Sequence, residues 1–282
     1  MSKETQAETS RELDTSARHA RAQAEEACCP VLELRQYIHC PGRRDEFIAL
    51  FDEYFIEEQE RYGAFIPGHF RDRTNPDRFV WLREFADMHT RRTALHDFYH
   101  VSSLWQAHRT AANETIHDVS NVFLLRPARA ASGFRLDPAN RPLKDAGDLA
   151  GGVIIATISA FEAPVDPRFV DFFEKTMIPQ LGSAGATLLG YFVTEPAENT
   201  YPALPVREGE NVFVWFASFA DEAAYSSYQS FLTQSQEWIT SIVPVLQIWG
   251  ASLEETLELL PTRRSLLRHH AQEQETRKDC GE

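Results

Sequence analysis

The spacing of apolar residues changes period several times along the chain, and it does so twice in the same order. Leu32, Leu34, Gln36 and Ile38 alternate with Glu33, Arg35, Tyr37 and His39, the period-2 signature of a strand with one face on a core. Pro41-Gly42 ends that strand. From Asp45 to Arg61 the period becomes helical, with Phe47, Ile48, Phe51, Phe55 and Ile56 on one stripe and carboxylates between them. Gly63 stops the helix. Ala64–Asp72 and Arg78–Phe85 read as two strands joined by the turn Thr74-Asn-Pro-Asp77. Helical segments follow from Met88 to Glu114, broken near His100–Ser103, and a last strand spans Val122–Arg126. The order β-α-β-β-α-β is the ferredoxin-like split unit.

The unit recurs. Phe79-Val-Trp-Leu-Arg-Glu-Phe-Ala-Asp87 returns as Phe213-Val-Trp-Phe-Ala-Ser-Phe-Ala-Asp221, identical at six of nine positions, and Gly68-His-Phe70 is echoed by Gly190-Tyr-Phe192. Such a match marks an internal repeat. The second copy predicts strands at Val153–Ser159, Ala186–Glu195, Asn211–Phe219 and Thr256–Leu260, with helices over Pro167–Gln180 and Asp221–Val245. Its central hairpin is 12 residues longer, because the offset between copies grows from 122 at Gly68/Gly190 to 134 at Phe79/Phe213. The chain is therefore expected to be α+β, with a mobile arm (1–29), a first repeat (30–127), a linker (128–151), a second repeat (152–262) and a frayed charged tail (263–282). Two open four-stranded sheets in one chain can face each other, forming a dimeric-α/β-barrel-type pseudo-dimer.

Composition removes several classes of partner. With 43% hydrophobic and 25% charged residues the chain is an ordinary globular protein, and a formal net charge of −14 argues against a nucleic-acid partner. The acidity is uneven: residues 31–126 hold 12 Arg and Lys against 15 Asp and Glu, residues 152–262 hold 3 against 14. A solvated surface accounts for that acidity. Four cysteines without a Cys-x-x-Cys spacing suit a reducing, cytoplasmic setting, and no apolar run is long enough for a membrane span.

Glu33-Leu-Arg-x-Tyr37 followed by Pro41-Gly42, Phe-Val-Trp-Leu-Arg83 with Phe85, Thr194-Glu-Pro196, Asn199, and Leu204-Pro-Val-Arg-Glu-Gly209 before a Val-Trp strand together resemble the NIPSNAP family over residues 31–262. The resemblance implies the dimeric α/β-barrel superfamily. Its members include cofactor-free monooxygenases, cyclases, isomerases and haem-binding proteins, so it implies a fold more sharply than a reaction.

Candidate chemistry concentrates in the first repeat. With Leu32, Leu34 and Ile38 packed on the helices, Glu33, Arg35, Tyr37 and His39 are expected to point into the barrel, with Glu33 and Arg35 paired. His69, which stands where the second repeat has Tyr191, is the expected acid/base, with Arg71 and Tyr37 beside it. Arg35, Glu33, Trp81, Tyr191, Asn199 and Arg207 are the expected substrate contacts, the last two on the long hairpin loop, although a repeated Trp is as well explained by core packing. His96 and His100 share a helix face without a third ligand, so no metal site is expected. These residues predict an enzyme acting on a small-molecule metabolite, by isomerisation, cyclisation or cofactor-free oxygenation, in a possible homo-oligomer. A haem ligated by His69 or another pocket histidine, and a non-catalytic binding or scaffold protein, are the alternatives.

Overall fold

Eight strands close into one barrel. The computed structural model describes residues 30–147 and 152–269, so the arm expected to be mobile lies outside the described residues. In the first unit, β1 (Val31–His39) leads into α1 (Arg44–Leu50), a π-helical turn (Phe51–Phe55) and α2 (Ile56–Arg61). Strands β2 (His69–Asp72) and β3 (Arg78–Phe85), helices α3 (Met88–His100) and α4 (Ser103–Asn113), and strand β4 (Ile116–Pro127) complete it. The second unit runs β5 (Val153–Phe161), α5 (Pro167–Phe172), a π turn (Phe173–Met177), α6 (Ile178–Ser183), β6 (Thr187–Thr194), β7 (Asn211–Phe219), α7 (Glu222–Gln234), a π turn (Trp238–Ile242), α8 (Val243–Ile248) and β8 (Ser252–Pro261). The expected elements are present. The final strands β4 and β8 begin earlier than their hydrophobic runs, where exposed residues of the hairpin side still pair with β1 and β5.

The strand order β1-β3-β2-β8-β5-β7-β6-β4 repeats one internal order in each unit. Both edges of each sheet are used up by the other. At one seam Phe70 faces Pro261, and at the other Phe192 faces Pro127, so equivalent residues close equivalent seams. Closure removes the unpaired edges that an open sheet leaves.

Closure also decides which face of β1 is inside, and it reverses the expectation. Leu32 and Leu34 turn inward and join Val80, Leu82, Ile154 and Phe216 in the fully buried core of the barrel. Glu33, Arg35, Tyr37 and His39 therefore point outward, into the layer between sheet and helices. A narrow eight-stranded barrel fills its bore with side chains, and an apolar filling costs less than burying four polar groups. The barrel interior is packed, and any site must lie in a sheet–helix layer.

The same alternation explains the repeated nonapeptide. Val80 and Leu82, like Val214 and Phe216, fill the bore. Phe79 and Trp81, like Phe213 and Trp215, face the helices. Asp87 and Asp221 end the motif as helix N-caps, accepting hydrogen bonds from the backbone N–H of Thr90 and Ala224.

Two segments outside the repeats stopper one barrel end. Phe134, in the stretch expected to be a plain linker, packs with ring centroids 4.9 Å from Phe192 and 5.2 Å from Phe216. Residues 264–268 are buried rather than frayed, and Leu267 joins the barrel core while its N–H bonds the Pro67 carbonyl. A Cβ on Gly68 would collide with Phe70 and crowd Leu267, and one on Gly190 would crowd Ser132, Phe192 and Phe134. That is why glycine recurs at both positions. The opposite end is closed by polar groups: Arg78 donates hydrogen bonds to Gln36 (3.0 Å) and Glu255 and forms an ion pair with Asp72 (2.7 Å). Replacing Leu267 by Ala should lower stability by about 2–4 kcal/mol. Urea denaturation measures this, and an unchanged midpoint would mean that the tail is no part of the core.

Candidate functional site

In the first unit the sheet–helix layer is full. Glu33, Arg35, Arg83 and Arg91 are all buried there. Glu33 accepts from Arg35 Nη1 (3.0 Å), Arg83 Nε (2.7 Å) and Arg91 Nε (2.7 Å). Burial alone would raise the Glu33 carboxyl, but the positive charges of Arg83, Arg35 and Arg91 outweigh it and hold the group well below the usual carboxylate range. Arg35 Nε donates to the Tyr37 hydroxyl (3.1 Å), and Arg83 Nη1 donates to Gln59 Oε1 (2.9 Å). Trp81 lies between the two guanidinium groups, 5.5 Å from that of Arg35 and 4.9 Å from that of Arg83. Burial pushes the Tyr37 phenol up, so it stays a neutral donor and acceptor. Glu33, Arg35, Tyr37 and Trp81 do assemble, as a stiff core.

The long hairpin loop reaches across from the second unit and completes this network. Asn199 Oδ1 accepts from Arg91 Nη1 (3.0 Å), the Asn199 amide donates to the Leu204 carbonyl (2.8 Å), and Tyr201 and Leu204 pack on Phe85, Ala94 and Leu95 of the first unit. The loop is a strap between units. Arg207 sits elsewhere, against Phe123 (4.3 Å) near the polar barrel end, paired with Glu210 and Glu254 at 2.6 Å each.

His69 does not join the cluster. It is fully buried on β2, where Nδ1 meets the Thr262 hydroxyl and lies 3.6 Å from Asp52 Oδ1, while Nε2 has no partner among the described residues. Burial, and then the charges of Arg141, Arg264 and Arg268, depress its pKa well below the ordinary value. The expected imidazole near its unperturbed pKa is thus a neutral core group under the C-terminal segment. Arg71 turns away to Asp45 (2.9 Å), and Tyr191, equivalent to His69, donates to Glu174 (2.6 Å). Among the described residues His69 is fully buried and lines none of the main cavities, so its ring as placed does not reach a space that could hold a haem. His39 bonds the Thr115 hydroxyl (3.2 Å). His96 and His100 stack 5.1 Å apart with no third metal ligand among the described residues.

The second unit differs at the same places. Register pairs Arg35 with Trp81 and Thr157 with Trp215, Tyr37 with Phe79 and Ser159 with Phe213, Glu33 with Arg83 and Ile155 with Ala217. Arg35, Tyr37 and Arg83 are thereby replaced by Thr157, Ser159 and Ala217. Thr157 and Ser159, where the first unit has Arg35 and Tyr37, line a cavity of about 250 Å³ between sheet and helices; Ala217 does not line it. Its floor is Ile155, Thr157, Ser159 and Thr256, and its walls include Phe173, Trp215, Tyr228 and Trp238. Thr157 and Thr256 are directly opposed across β5 and β8. Among the described residues none that lines it is Asp, Glu, Lys, Arg, His or Cys. Burial raises the Tyr225 and Tyr228 phenols, so both remain protonated.

Comparisons with known proteins agree with this architecture. A protein from Fusobacterium nucleatum provisionally named a monooxygenase is 9% identical, and the match covers 83% of this chain and 93% of that one at a TM-score of 0.50. By fold, the chain is a dimeric α/β barrel. A similarly named protein from Lactobacillus acidophilus is 12% identical, the match covering 83% of this chain and 94% of its own (TM-score 0.49). A NIPSNAP family protein from Agrobacterium tumefaciens is 20% identical, the match covering 38% of this chain and 99% of its own (TM-score 0.34). No protein-family model matches the sequence, and no curated protein does.

Arg83, Arg91, Thr157 and Ser159 were absent from the expected site. A signal for three of them was present. Arg83 aligns with Ala217 inside the repeated nonapeptide, and aligning β1 with β5 sets Arg35 and Tyr37 against Thr157 and Ser159. Arg91, one turn into α3, has no such marker.

Removing the Glu33 charge by Glu33→Gln leaves three arginines buried together and should cost about 3–5 kcal/mol in urea denaturation. Asp52 carries a pH signature. Burial pushes its carboxyl up to about 6, against the pull of Arg263, Arg264 and Arg71. The folded state then binds this proton more tightly than the unfolded one, so its contribution is largest in acid and is lost as pH rises from about 4 to about 6. Asp52→Asn should abolish that decline, and parallel stability–pH curves for variant and parent would contradict the assignment.

Proposed function

We propose that this barrel binds a small, apolar, ring-containing molecule in the sheet–helix cavity of its second unit, and that the first unit is the rigid half. The observation that carries this reading is the substitution of Thr157 and Ser159 for Arg35 and Tyr37 on the floor of a cavity of about 250 Å³ in the second unit. An apolar cavity of about 150 Å³ already accepts benzene, so this one has room for one ring or two fused rings. Aromatic walls with a few hydroxyls follow the usual composition of a small-molecule site.

A larger groove of about 430 Å³ runs along the β4–β6 seam, but charged side chains wall it: Glu195, Glu198, Glu208, Glu210, Arg126 and Arg207, the last paired with Glu210 and Glu254. It lacks the dry interior that would hold an apolar ligand.

As an enzyme, the barrel would be of the small-molecule class, and NIPSNAP membership is the reading its Glu33-Leu-Arg-x-Tyr37 pattern supports. The ionisable groups of the first unit are committed to structure, so a side-chain base of the His69 kind has no role in the proposal. Cofactor-free oxygenation asks least of the cavity, because reactivity then resides in the bound molecule. The provisional name of the Fusobacterium protein with this fold points the same way.

Binding of 2-naphthol, followed by quenching of the cavity residues Trp215 and Trp238, is the direct test. Ser159→Tyr restores the side chain of the filled half and should weaken binding by roughly tenfold or more without unfolding the protein. Undiminished binding by this variant would place the ligand elsewhere.

A further inference from the structure

The stoppered end of the barrel carries a third opening, a groove of about 370 Å³ that shares no lining residue with the cavity of the second unit. Its walls come from the linker, through Arg135 and Leu136, from the C-terminal segment, through Leu267 and Arg268, and from β6, through Leu188 and Leu189. Among the described residues none that lines it is Asp or Glu. That is unusual surface for a chain of net charge −14.

The two segments that close this end, residues 128–141 and 262–268, hold six arginines and one carboxylate, Asp137. Four of the six are paired: Arg129 with Asp171, Arg141 with Glu60, Arg263 with Asp52 (3.9 Å) and Arg264 with Glu57. The other two, Arg135 and Arg268, have no carboxylate partner among the described residues, and both line the groove. Asp137 accepts from the Ala139 N–H (2.9 Å) and does not line it.

Arg268 is held ready. It is 7% exposed, and backbone carbonyls fix its guanidinium: Nε donates to Ser265 (3.0 Å), and Nη2 donates to Ser265 (2.7 Å) and Arg263 (3.0 Å). Nη1 makes no such bond among the described residues. Carbonyls orient the group without cancelling its charge, and burial lowers its pKa with no carboxylate to offset that pull. Arginine keeps its proton in a protein, so a cation this buried calls for an anion. Arg135 is half-buried and has no side-chain partner among the described residues. The other polar groups of the groove are engaged: the Ser132 hydroxyl bonds the Arg129 and Tyr191 carbonyls, and the Tyr191 hydroxyl bonds Glu174.

We propose that this groove binds a small organic oxyanion, its carboxylate or phosphate held by Arg135 and Arg268 and its hydrocarbon body lying on Leu136, Leu188, Leu189 and Leu267. Guanidinium groups match both oxyanions through paired N–H donors. The volume is more than twice the roughly 150 Å³ that accepts benzene. One arginine belongs to each closing segment, so the bound anion ties linker and C-terminal segment together. Neither of the other openings competes for it: the cavity has no cation on its walls, and four glutamates wall the larger groove.

Isothermal titration calorimetry of the full chain with benzoate, phenyl phosphate, inorganic phosphate and neutral benzamide tests the site. Benzoate or phenyl phosphate, the tighter of the two identifying the headgroup, should bind roughly tenfold or more tightly than benzamide, as charge-assisted hydrogen bonds require. Inorganic phosphate should bind more weakly than that preferred anion, because it leaves the leucines uncovered. Arg135→Gln breaks no contact within the protein, so it should keep the urea midpoint of the parent while weakening the preferred anion by roughly tenfold or more. 2-Naphthol should bind this variant as it binds the parent and should not displace the anion. No preference for either anion over benzamide, or full affinity in Arg135→Gln, overturns the proposal. Displacement of the anion by 2-naphthol also overturns it, since both then share the second-unit cavity. Inorganic phosphate binding as tightly as the organic anions would mean an adventitious ion only. Failure of 2-naphthol to bind at all overturns the cavity reading and leaves the anion site standing.

Discussion

A four-stranded sheet has two edges, and in this chain each unit spends both of them on the other. Everything else follows from that closure. A closed eight-stranded barrel has a bore just wide enough for side chains, so one alternation of every strand must be apolar and small enough to interlock. Leu32, Leu34, Val80 and Leu82 meet that demand together with their second-unit counterparts. The other alternation is thereby directed at the helices, whatever its chemistry. The charged pattern of β1 lies outside the barrel because there is no inside for it to occupy.

This constraint separates what could be read from the residues alone from what could not. Period-2 and helical spacing placed the strands and helices, and the repeated nonapeptide disclosed the pseudo-symmetry, because both are local properties of the chain. The face of β1 was not legible. Alternation says that two faces differ, and either face of Glu33-Leu-Arg-Gln-Tyr could have met the helices until the seams were known. His69 was misread for a related reason. Its difference from Tyr191 was real, but the side chains that desolvate and repel its proton, Arg141, Arg264 and Arg268, come from segments that carry no periodic signal. The residues after Pro261 look like a charged tail, and only the hydrogen bonds of Thr262 and the burial of Leu267 show them to be part of the core.

The two sheet–helix layers solve one packing problem in different ways. In the first, Glu33 gathers three arginines, aromatic rings lie over the guanidinium groups of Arg35 and Arg83, and the strap from the second unit gives Arg91 Nη1 an acceptor in Asn199. Such a network is weak evidence for stability, since desolvation offsets much of the attraction, but it is strongly specific: each member is needed once the others are buried. It ties β1, β3, α3 and the loop between β6 and β7 into one geometry. The strap therefore couples the filled half to the open one.

The open half has an energetic consequence. A sealed, dry apolar cavity of 250 Å³ would cost on the order of 6 kcal/mol at about 24 cal/mol per Å³, an upper bound here because this cavity opens to solvent beside Leu253. That is comparable to the whole stability of many domains. Water on the hydroxyl floor reduces the figure, and a bound ring reduces it further, because the molecule replaces contacts that Arg35 and Tyr37 make in the other half. A symmetric dimer of one repeat could not divide the task this way, since any change that opens one layer opens both. Two copies in one chain can diverge, leaving one layer filled and stiff while the other keeps the space. Phe51, Phe55 and Trp105 pack the first layer as tightly as a core requires, and the second layer is free to accept a ligand because the first does not.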